Sequence, residues 1–475
     1  MERLSGLDAS FLYMETRTML MHVAFIAVCD GKDMPGGYSF RKIYDQIDVR
    51  TQREPVFRRR LIEVPFDLHH PLWIDDPEFN ITDHVYQYTL PENATRADLG
   101  HKIGRIMSKP LDRTRPLWEL WVIEGLEDGQ FALMMKIHHA VVDGVSGTDL
   151  MGKLFDHEVV TTIPTIKRRA VGEPIPSNKE LLSRALRSRV GGPKRFLKLL
   201  GESATGISAL VKKRLKEDAE DRSTGPMSAP RTHFNRSIGP NRDVAFAELS
   251  LADLKKVKNA TGATVNDVVL CVCGSALRNY LQMHDDLPRK SLVSMVPVSV
   301  RKPSETTVTN NQVSGMWATL ATHVEDPLER LALIQKETKG AKDDHDAIGA
   351  DLLQNWAEVN TPAAFNLAVR MYSSWGIADV IAPVHNTIIS NVPGPRKPLY
   401  FAGCRIDTLY PLGPVMEGVG LNISLASYQD RVGFAIHVDA DLVKDAVVFP
   451  ALVDQALQDL KIAAGVTEGD VSLVG

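Results

Sequence analysis

The chain has 475 residues, too many for one ordinary hydrophobic core, and at ~150 residues per domain this length predicts two or three domains. Hydrophobic residues make up 44% and charged residues 24%, values typical of a globular protein, which excludes wholesale disorder. The formal net charge of -4 argues against nucleic-acid binding through bulk electrostatics.

The four cysteines do not form a CxxC pair, because Cys271 and Cys273 are separated by one residue. Since Cys29 and Cys404 also have apolar neighbours, we predict four buried free thiols in a reducing compartment. The first sixteen residues contain early acids and no continuous apolar stretch, so no signal peptide is predicted. No run of ~18 apolar residues occurs, and any membrane contact is expected to be peripheral.

The first part of the chain, about 1–160, alternates strand-like and helix-like segments. Predicted strands lie at 21–29, 117–123 and 131–137, and predicted helices at 38–47, 97–107 and 146–155. The turn sequence at 127–129 joins the second and third strands. We therefore predict an N-terminal mixed α/β domain.

Residues 161–240 have the composition of a linker, with scattered prolines, a Gly-Gly-Pro at 191–193 and a polar run at 217–231. Parts of it have helical spacing, at Leu181, Leu182, Ala185, Leu186, at Phe196, Leu197, Leu200 and at Ile207, Leu210, Val211. Between 167 and 216 there are 14 basic and 3 acidic residues, a local excess of +11. Such a basic helical segment suits an anionic membrane or lipid-droplet surface, or equally a helix packed on its own protein with a solvated basic face.

The remaining chain, 241–475, alternates again. Helices are predicted at 264–280, with Thr264 as a cap, at 327–339 and at 443–460. Strands are predicted at 292–300, 387–392, 420–428 and 433–438. The fold class is therefore α/β with mixed sheets, in two halves joined by a partly helical linker.

The sharpest chemical signal is the sequence His138-His139-Ala-Val-Val-Asp143-Gly144, which follows an apolar strand and precedes a helix. His139 falls at the strand end, where a neutral imidazole can remove a proton from an alcohol. Asp143 sits in a turn closed by Gly144, and its expected role is to brace the loop. His138 is expected to pack or hydrogen-bond inward.

The same residues also fit a metal site or a buried structural histidine. The pair His69-His70 precedes a proline and lacks an aspartate at the matching offset, so we interpret it as structural. Residue 148 is Thr, which excludes a GxSxG elbow, and GxGxxG after a strand, GxxxxGK[ST] and HExxH are absent. The sequence therefore predicts no nucleotide-binding loop. Since no second His, Cys or Asp cluster has ligand spacing, it does not support a zinc site either.

Residues 138–144 resemble the HHxxxDG motif of the CoA-dependent acyltransferase superfamily. Further segments narrow the resemblance to the bacterial wax ester synthase/diacylglycerol acyltransferase family. These segments span nearly the whole chain: LSGLDASFLYMET at 4–16, MHV at 21–23, PLWE at 116–119, TVNDV at 264–268, ALR at 276–278, PVSVR at 297–301, Asn310 and Asn311, and SNVPGP at 390–395.

The resemblance implies two chloramphenicol-acetyltransferase-like domains with an active site between them. It implies direct acyl transfer without an acyl-enzyme, in which His139 deprotonates the acceptor hydroxyl. Candidate supporting or oxyanion residues are Asn266 and Asp267 of the ND motif, and Ser390 or Asn391 before a turn. Turn formation is an equally good explanation for Ser390 and Asn391. The PLW segment is interpreted as structural, with Trp118 anchoring a strand.

The implied substrates are fatty acyl-CoA and diacylglycerol, with fatty alcohols as further acceptors, and no cofactor is expected. The alternatives are acylation of another hydrophobic alcohol, or a catalytically silent lipid-binding scaffold. The expected location is the bacterial cytoplasm, with peripheral association to the inner membrane or lipid droplets.

Overall fold

Two six-stranded mixed sheets form the framework of the protein. The computed structural model describes residues 1–142, 147–160, 172–188, 229–299, 313–348 and 362–466. The strands are β1 (Glu2–Arg3), β2 (His22–Asp30), β3 (Arg59–Ile62), β4 (Leu72–Asp75), β5 (Val85–Ala94), β6 (Trp118–Leu126), β7 (Gln130–His138), β8 (Arg242–Ser250), β9 (Val293–Ser299), β10 (Val313–Thr319), β11 (Thr387–Val392), β12 (Tyr400–Phe401), β13 (Cys404–Leu412), β14 (Leu421–Tyr428) and β15 (Arg431–Asp439).

Helices cover the sheets. They are α1 (Gly6–Met14), α2 (Phe40–Arg53), α3 (Arg96–Met107), α4 (His139–Val142), α5 (Gly147–Leu154), α6 (Asn178–Ser188), α7 (Leu251–Thr261), α8 (Val265–Met283), α9 (Pro327–Ile348), α10 (Pro362–Ser374) and α11 (Phe449–Ala463). The helices and strands predicted in the described residues are present, with some different ends. The final helix begins at Phe449, after a 3-10 turn at Ala446–Val448, because Pro450 suits a first helical turn. The two further linker helices, predicted from Phe196 and from Ile207, lie outside the described residues.

The first sheet has the order β12-β13-β2-β7-β6-β5, and the second β10-β9-β11-β14-β15-β8. A small sheet, β1-β4-β3, lies beside them. Strand β7 is buried along almost its whole length because it is central in its sheet and covered on both faces. This explains why the predicted strand at 131–137 is a continuous apolar run with only Lys136 as an exception.

One hairpin crosses between the halves. Strands β12 and β13 lie within the second half of the sequence, between β11 and β14, but β13 pairs antiparallel with β2 of the first sheet, from Ile406 opposite Cys29 to Leu412 opposite Ala24. The chain then returns to the second sheet through β14. The two halves are therefore joined by backbone hydrogen bonds as well as by side-chain packing.

Helix α3 of the first half lies directly on β8 of the second. A Cβ at Gly100 would stand 1.9 Å from the carbonyl oxygen of Val244, and one at Gly104 would stand 2.3 Å from that of Arg242. Two glycines four residues apart face the same side of a helix, so together they allow this close approach. Around this contact a buried apolar cluster forms from both halves, including Ile26 and Phe246.

The four cysteines are buried and free, as predicted. Among the described helices, none alone is long and apolar enough to cross a membrane. Helices α7 and α8, which meet at an angle of 105°, are together long and apolar enough to cross a membrane, judged by length and composition alone. Most of α8 is buried in the core of the second half, which accounts for its apolar composition.

Candidate active site

The two histidines of the motif lie where β7 ends and α4 begins. The backbone N–H of His138 donates to Leu117 O at 3.0 Å, and that of His139 donates to Met21 O at 2.8 Å. The strand end is thus held from both sides, by the residues before β6 and before β2. Because successive side chains point to opposite faces, His138 and His139 enter different environments.

His139 is half-buried and stacks on Phe11 of α1, with ring centroids 4.0 Å apart and an interplanar angle of 23°. Its buried Nδ1 has no hydrogen-bond partner among the described residues. Burial, and secondarily the charge of the nearby His138, lowers the pKa of His139 to about 4. The imidazole is therefore neutral at pH 7, the protonation state that a general base requires.

His138 is fully buried, and its ring orientation is set by two contacts. Its Nδ1 accepts a hydrogen bond from the Ala140 N–H at 3.1 Å, which places the ring proton on Nε2. Nε2 faces a carboxylate oxygen of Glu15 at 3.7 Å. The same oxygen lies 3.2 Å from Nε2 of His22, the residue opposite His138 in the β2–β7 ladder.

Glu15 is the charged residue of this cluster. Burial alone would raise its pKa, but contacts with His138 and His22 outweigh burial and hold the pKa well below its usual range. Arg113 forms an ion pair with the second carboxylate oxygen of Glu15 at 2.7 Å and donates to Leu12 O at 3.0 Å. The carboxylate therefore remains ionised beside two buried imidazoles.

Lys136 adds a buried cation two residues before His138, on the same face of β7. Its ammonium donates to the carbonyls of Ile106 at 3.1 Å and Lys109 at 2.6 Å, and lies 3.7 Å from Glu119. Burial lowers its pKa to about 8. Lys136 thus satisfies carbonyl groups at the end of α3 and fixes this end of β7.

The sequence predictions assigned no role to Phe11 or Glu15, although they lie in a segment quoted for its family resemblance. A local signal was available. Ser5 caps α1 by accepting from the Asp8 N–H at 3.0 Å, and the interval of four residues between Phe11 and Glu15 indicates one helix face. That this face meets the histidine pair depends on tertiary packing, which the sequence alone did not reveal.

A cavity of about 1030 Å³ lies beside this cluster. Its wall includes Glu15 and Arg113, residues of the 63–71 loop, and the C-terminal end of α10. Four carboxylates and three guanidinium groups contribute to the lining: Glu15, Glu63, Asp67, Glu417, Arg17, Arg113 and Arg370. The cavity therefore leads to Glu15, and through Glu15 to His138.

The other predicted residues form a second cluster. The side-chain amide of Asn391, at the end of β11, donates to Asn266 Oδ1 at 3.4 Å. Ser390 precedes it and is half-buried. Among the hydrogen bonds of the described residues, none links this cluster to His138 or His139.

The Asp267 side chain forms hydrogen bonds at the start of α8. Its carboxylate accepts from the Thr264 N–H at 2.9 Å and from the hydroxyl of Thr338 at 2.9 Å, while Thr264 accepts from the Asp267 N–H. This is a capping box that also ties α8 to α9, and it confirms Thr264 as the cap. The geometry indicates that Asp267 stabilises the helix start.

Asp143 and Gly144 lie outside the described residues. Within the part of the chain that the structure describes, no group of three His, Cys, Asp or Glu residues could hold a metal ion.

Two segments interpreted as structural have structural contacts. Trp118 is buried, donates to Phe57 O at 2.7 Å and stacks on His84 with centroids 4.5 Å apart. His70 is buried and its Nδ1 lies 3.0 Å from the hydroxyl of Tyr13. The anchoring role predicted for Trp118 is confirmed.

Comparison with known proteins places these features in a family context. The model of the wax ester synthase/diacylglycerol acyltransferase catalytic domain matches residues 4–269, and that of the WS/DGAT C-terminal domain matches residues 309–461. A protein of Mycobacterium tuberculosis, provisionally named a diacylglycerol O-acyltransferase, is 37% identical over 96% of this chain and 90% of its own.

Solved structures show the same fold. The wax ester synthase/diacylglycerol acyltransferase from Marinobacter aquaeolei VT8 has a TM-score of 0.68 at 27% identity, over 98% of this chain and 100% of its own. The first condensation domain of the CDA synthetase has a TM-score of 0.54 at 14% identity, over 100% and 99% of the two chains, which is a likeness of fold alone. The two-domain fold predicted from the sequence is confirmed.

Proposed function

Because this chain belongs to the wax ester synthase/diacylglycerol acyltransferase family, we propose that it transfers a fatty acyl group from acyl-CoA to diacylglycerol with His139 as general base. The product is triacylglycerol, and long-chain alcohols are a second class of acceptor that would give wax esters. The family membership and the relatives' names support the acyltransferase activity and the substrates. The position and surroundings of His139 support its role as general base.

The observation that carries the mechanism is a neutral, half-buried imidazole at the end of a rigid strand. A nitrogen of His139 takes the proton of the acceptor hydroxyl as its oxygen attacks the thioester carbonyl carbon. The new C–O bond forms, the C–S bond of the thioester breaks, and the imidazolium returns the proton to the departing CoA sulfur. Low pKa keeps His139 free of a proton before the acceptor binds, and Phe11 keeps its ring plane fixed.

Glu15 acts through His138 in this proposal. The Glu15 carboxylate lies 3.7 Å from Nε2 of His138, and its negative charge favours the tautomer with the proton on Nε2, whose Nδ1 accepts from the Ala140 N–H in the first turn of α4. That hydrogen bond shapes the junction from which His139 projects. Glu15 is thus a positioning residue, and His139 is the catalytic one.

Asp143 and Gly144 are proposed to hold the loop that follows α4, with Asp143 bracing it and Gly144 closing its turn. If so, Asp143→Ala will lower activity together with the melting temperature. Loss of activity at an unchanged melting temperature would assign Asp143 a direct chemical role instead.

The developing oxyanion needs a hydrogen-bond donor, and we propose Ser390 or Asn391 for that role, with Asn266 orienting Asn391. The contact between Asn391 and Asn266 supports this arrangement. Removal of one such donor typically lowers kcat by ~10²–10³. A loss of that size in Asn391→Ala or Ser390→Ala identifies the donor. Normal turnover in both variants would show that the two residues only form the turn.

We also propose a peripheral contact with the inner membrane or lipid droplets from the cytoplasmic side. The +11 excess of basic residues at 167–216 supports it, and within that stretch the structure describes residues 172–188, including α6. Salt should weaken such binding to anionic vesicles, because exposed charges are screened within ~10 Å at 0.1 M ionic strength.

The test of the function is CoA release from palmitoyl-CoA with a panel of acceptors. Dioleoylglycerol, hexadecanol and a short polar alcohol are compared at equal concentration in detergent. Release that requires diacylglycerol or hexadecanol supports the proposal, and the faster acceptor ranks the two activities. Release only with a different alcohol, or none from folded protein, would contradict it.

A further inference from the structure

The segment after α10 exposes an unusual amount of apolar surface. The exposed fractions are 67% for Trp375, 84% for Val380, 46% for Ile381 and 42% for Val384. Within the described residues, no other stretch of ten exposes four large apolar side chains. We call these four side chains the apolar edge. Contiguous exposed apolar groups on a protein surface indicate a binding partner.

The backbone beneath the apolar edge is fixed. The guanidinium of Arg231 donates to the carbonyls of Ala378, at 3.0 Å, and Ile381. The Ser237 N–H donates to Asp379 at 3.0 Å, and the residues Ile377–Asp379 form a 3-10 turn. These contacts satisfy the polar groups of the segment from the protein side, so that the apolar side chains project outward.

Basic residues flank the edge. Arg370 on α10 and Arg236 are exposed, and Arg231 is half-buried. Asp379 is the acid within the segment, and hydrogen bonds from Ser237 lower its pKa, with Arg236 and Arg231 close enough to contribute. An exposed Trp with aliphatic neighbours and flanking arginines is the composition of a surface that sits at a membrane interface, where arginines meet anionic headgroups.

The apolar edge directly follows residues that line the cavity. Arg370, Ser373 and Ser374 line the cavity, and Trp375 is the next residue. Asp67, another lining residue, accepts from Asn366 of α10 at 3.5 Å, and its neighbour Phe66 is 83% exposed. Two exposed aromatic side chains, Trp375 and Phe66, are thus next in sequence to residues that line the cavity, and the lining also includes Glu15.

We propose that the apolar edge, with Phe66 and the flanking Arg236 and Arg370, docks the protein onto an anionic lipid surface with the cavity mouth facing the lipid. This rests on the proposed function in that a diacylglycerol or fatty alcohol reaches the cavity from the lipid phase. The docking surface is formed by residues outside the basic stretch at 167–216. The side chains of the edge enter the interface, whereas the basic stretch contributes long-range attraction.

The experiment measures binding without turnover, so its result is independent of the acyltransferase assay. Wild type, the double variant Val380→Asp with Ile381→Asp, and the control Ile462→Asp are floated with phosphatidylglycerol/phosphatidylcholine vesicles. Ile462 is 77% exposed on α11, so it matches the edge in exposure. We expect about tenfold or greater loss of vesicle affinity in the double variant and none in the control. Equal binding of wild type and the double variant would overturn the proposal.

A second measurement localises the contact. Phospholipids brominated on the acyl chains quench tryptophans that enter the bilayer, so wild type should be quenched and Trp375→Phe should not. Quenching that persists unchanged in Trp375→Phe would overturn the proposal. So would a dimer, measured by sedimentation, that dissociates in the double variant while vesicle binding stays intact, because the edge would then be covered by a second copy of the chain.

Discussion

Phe11 lies against the imidazole of His139, with ring centroids 4.0 Å apart and the planes inclined by 23°. One helical turn later, Glu15 contacts His138 and His22. Helix α1 and its C-cap residue Glu15 therefore set the positions of the proposed base and of its buried neighbour. This relationship links the N-terminal segment of the chain to the proposed base, which lies more than a hundred residues later in the sequence.

Removal of the Phe11 ring should misplace His139. We expect Phe11→Leu to lower kcat/KM by about tenfold or more, since small displacements of a catalytic group are costly. The control is Phe40→Leu, because Phe40 is also half-buried but packs near Tyr44 on α2. Steady-state rates and melting temperatures of both variants separate catalysis from stability. Similar rate losses in both variants would show that the stack has no special role.

Glu15→Gln should lower both stability and turnover. The substitution removes the negative charge that balances Arg113 and faces Nε2 of His138, which we expect to cost about 1–3 kcal/mol in the free energy of unfolding. Glu63 is the matched control, because it also pairs with Arg113, at 3.2 Å, but its side chain is 63% exposed. Glu63→Gln should change stability by less than about 0.5 kcal/mol. Normal turnover in Glu15→Gln would contradict the positioning role.

Because the pKa of His139 is lowered, we expect kcat/KM to fall little in mildly acidic solution. A base with a pKa of about 4 is still largely neutral at pH 5.5, whereas a histidine with the ordinary value of 6.5 would be mostly protonated. We expect kcat/KM at pH 5.5 to stay above about half of its value at pH 7.5. An acid limb with its midpoint near 6.5 in folded protein would show that His139 is not desolvated as described.

The same shift has a consequence for stability. In the folded protein the pKa values of His22 and His139 are about 4, whereas in the unfolded chain they are near 6.5. As pH falls below 6.5, the unfolded chain therefore takes up protons at these histidines before the folded protein does. Each histidine then lowers the free energy of unfolding between pH 6.5 and 4. Thermal melts across that interval check the sign, and a melting temperature that rises on acidification would contradict it.

The close contact between α3 and β8 should make the stability of the protein sensitive to added volume at Gly104. A methyl group at Gly104 would collide with backbone atoms of β8, which cannot move without shifting a whole strand. Gly104→Ala should therefore destabilise the protein by about 1–3 kcal/mol. The control, Gly152→Ala, adds a methyl to α5 with no atom within 4 Å and should be neutral or stabilising. Equal melting temperatures of the two variants would mean that α3 and β8 do not pack this closely.

The histidine pair and many helices and strands were predicted from the sequence because each depends on a short pattern, whereas α1, β8, β10 and β13 were not predicted. The apolar run of β7 and the cap residue Thr264 identify their own structures, whereas the place of Asp267 in the capping box was found in the structure. Neither β13 nor its pairing in the first sheet was predicted, and the pattern of a strand does not in any case identify the sheet that the strand joins. The role of Gly100 and Gly104 in α3 was not predicted either, since these glycines matter only because β8 packs closely against them.

The candidate site was predicted in part for the same reason. His138 and His139 are recognisable as a pair, but the contact of His138 with Glu15 is made across 123 residues of chain. His22 faces His138 through a strand ladder whose register no local pattern specifies. The contact between Asn266 and Asn391 joins two residues that resemblance had selected separately.

The central claim is that His139 removes the acceptor proton, and CoA release by His139→Ala tests it most directly. Wild type, His139→Ala and the control His157→Ala, which removes an exposed imidazole, are compared with palmitoyl-CoA and diacylglycerol after their folds are matched by near-ultraviolet circular dichroism. The account predicts a loss of about 10²–10⁴ in kcat for His139→Ala and full activity for His157→Ala. Turnover of folded His139→Ala within about tenfold of wild type would contradict general-base catalysis by this residue.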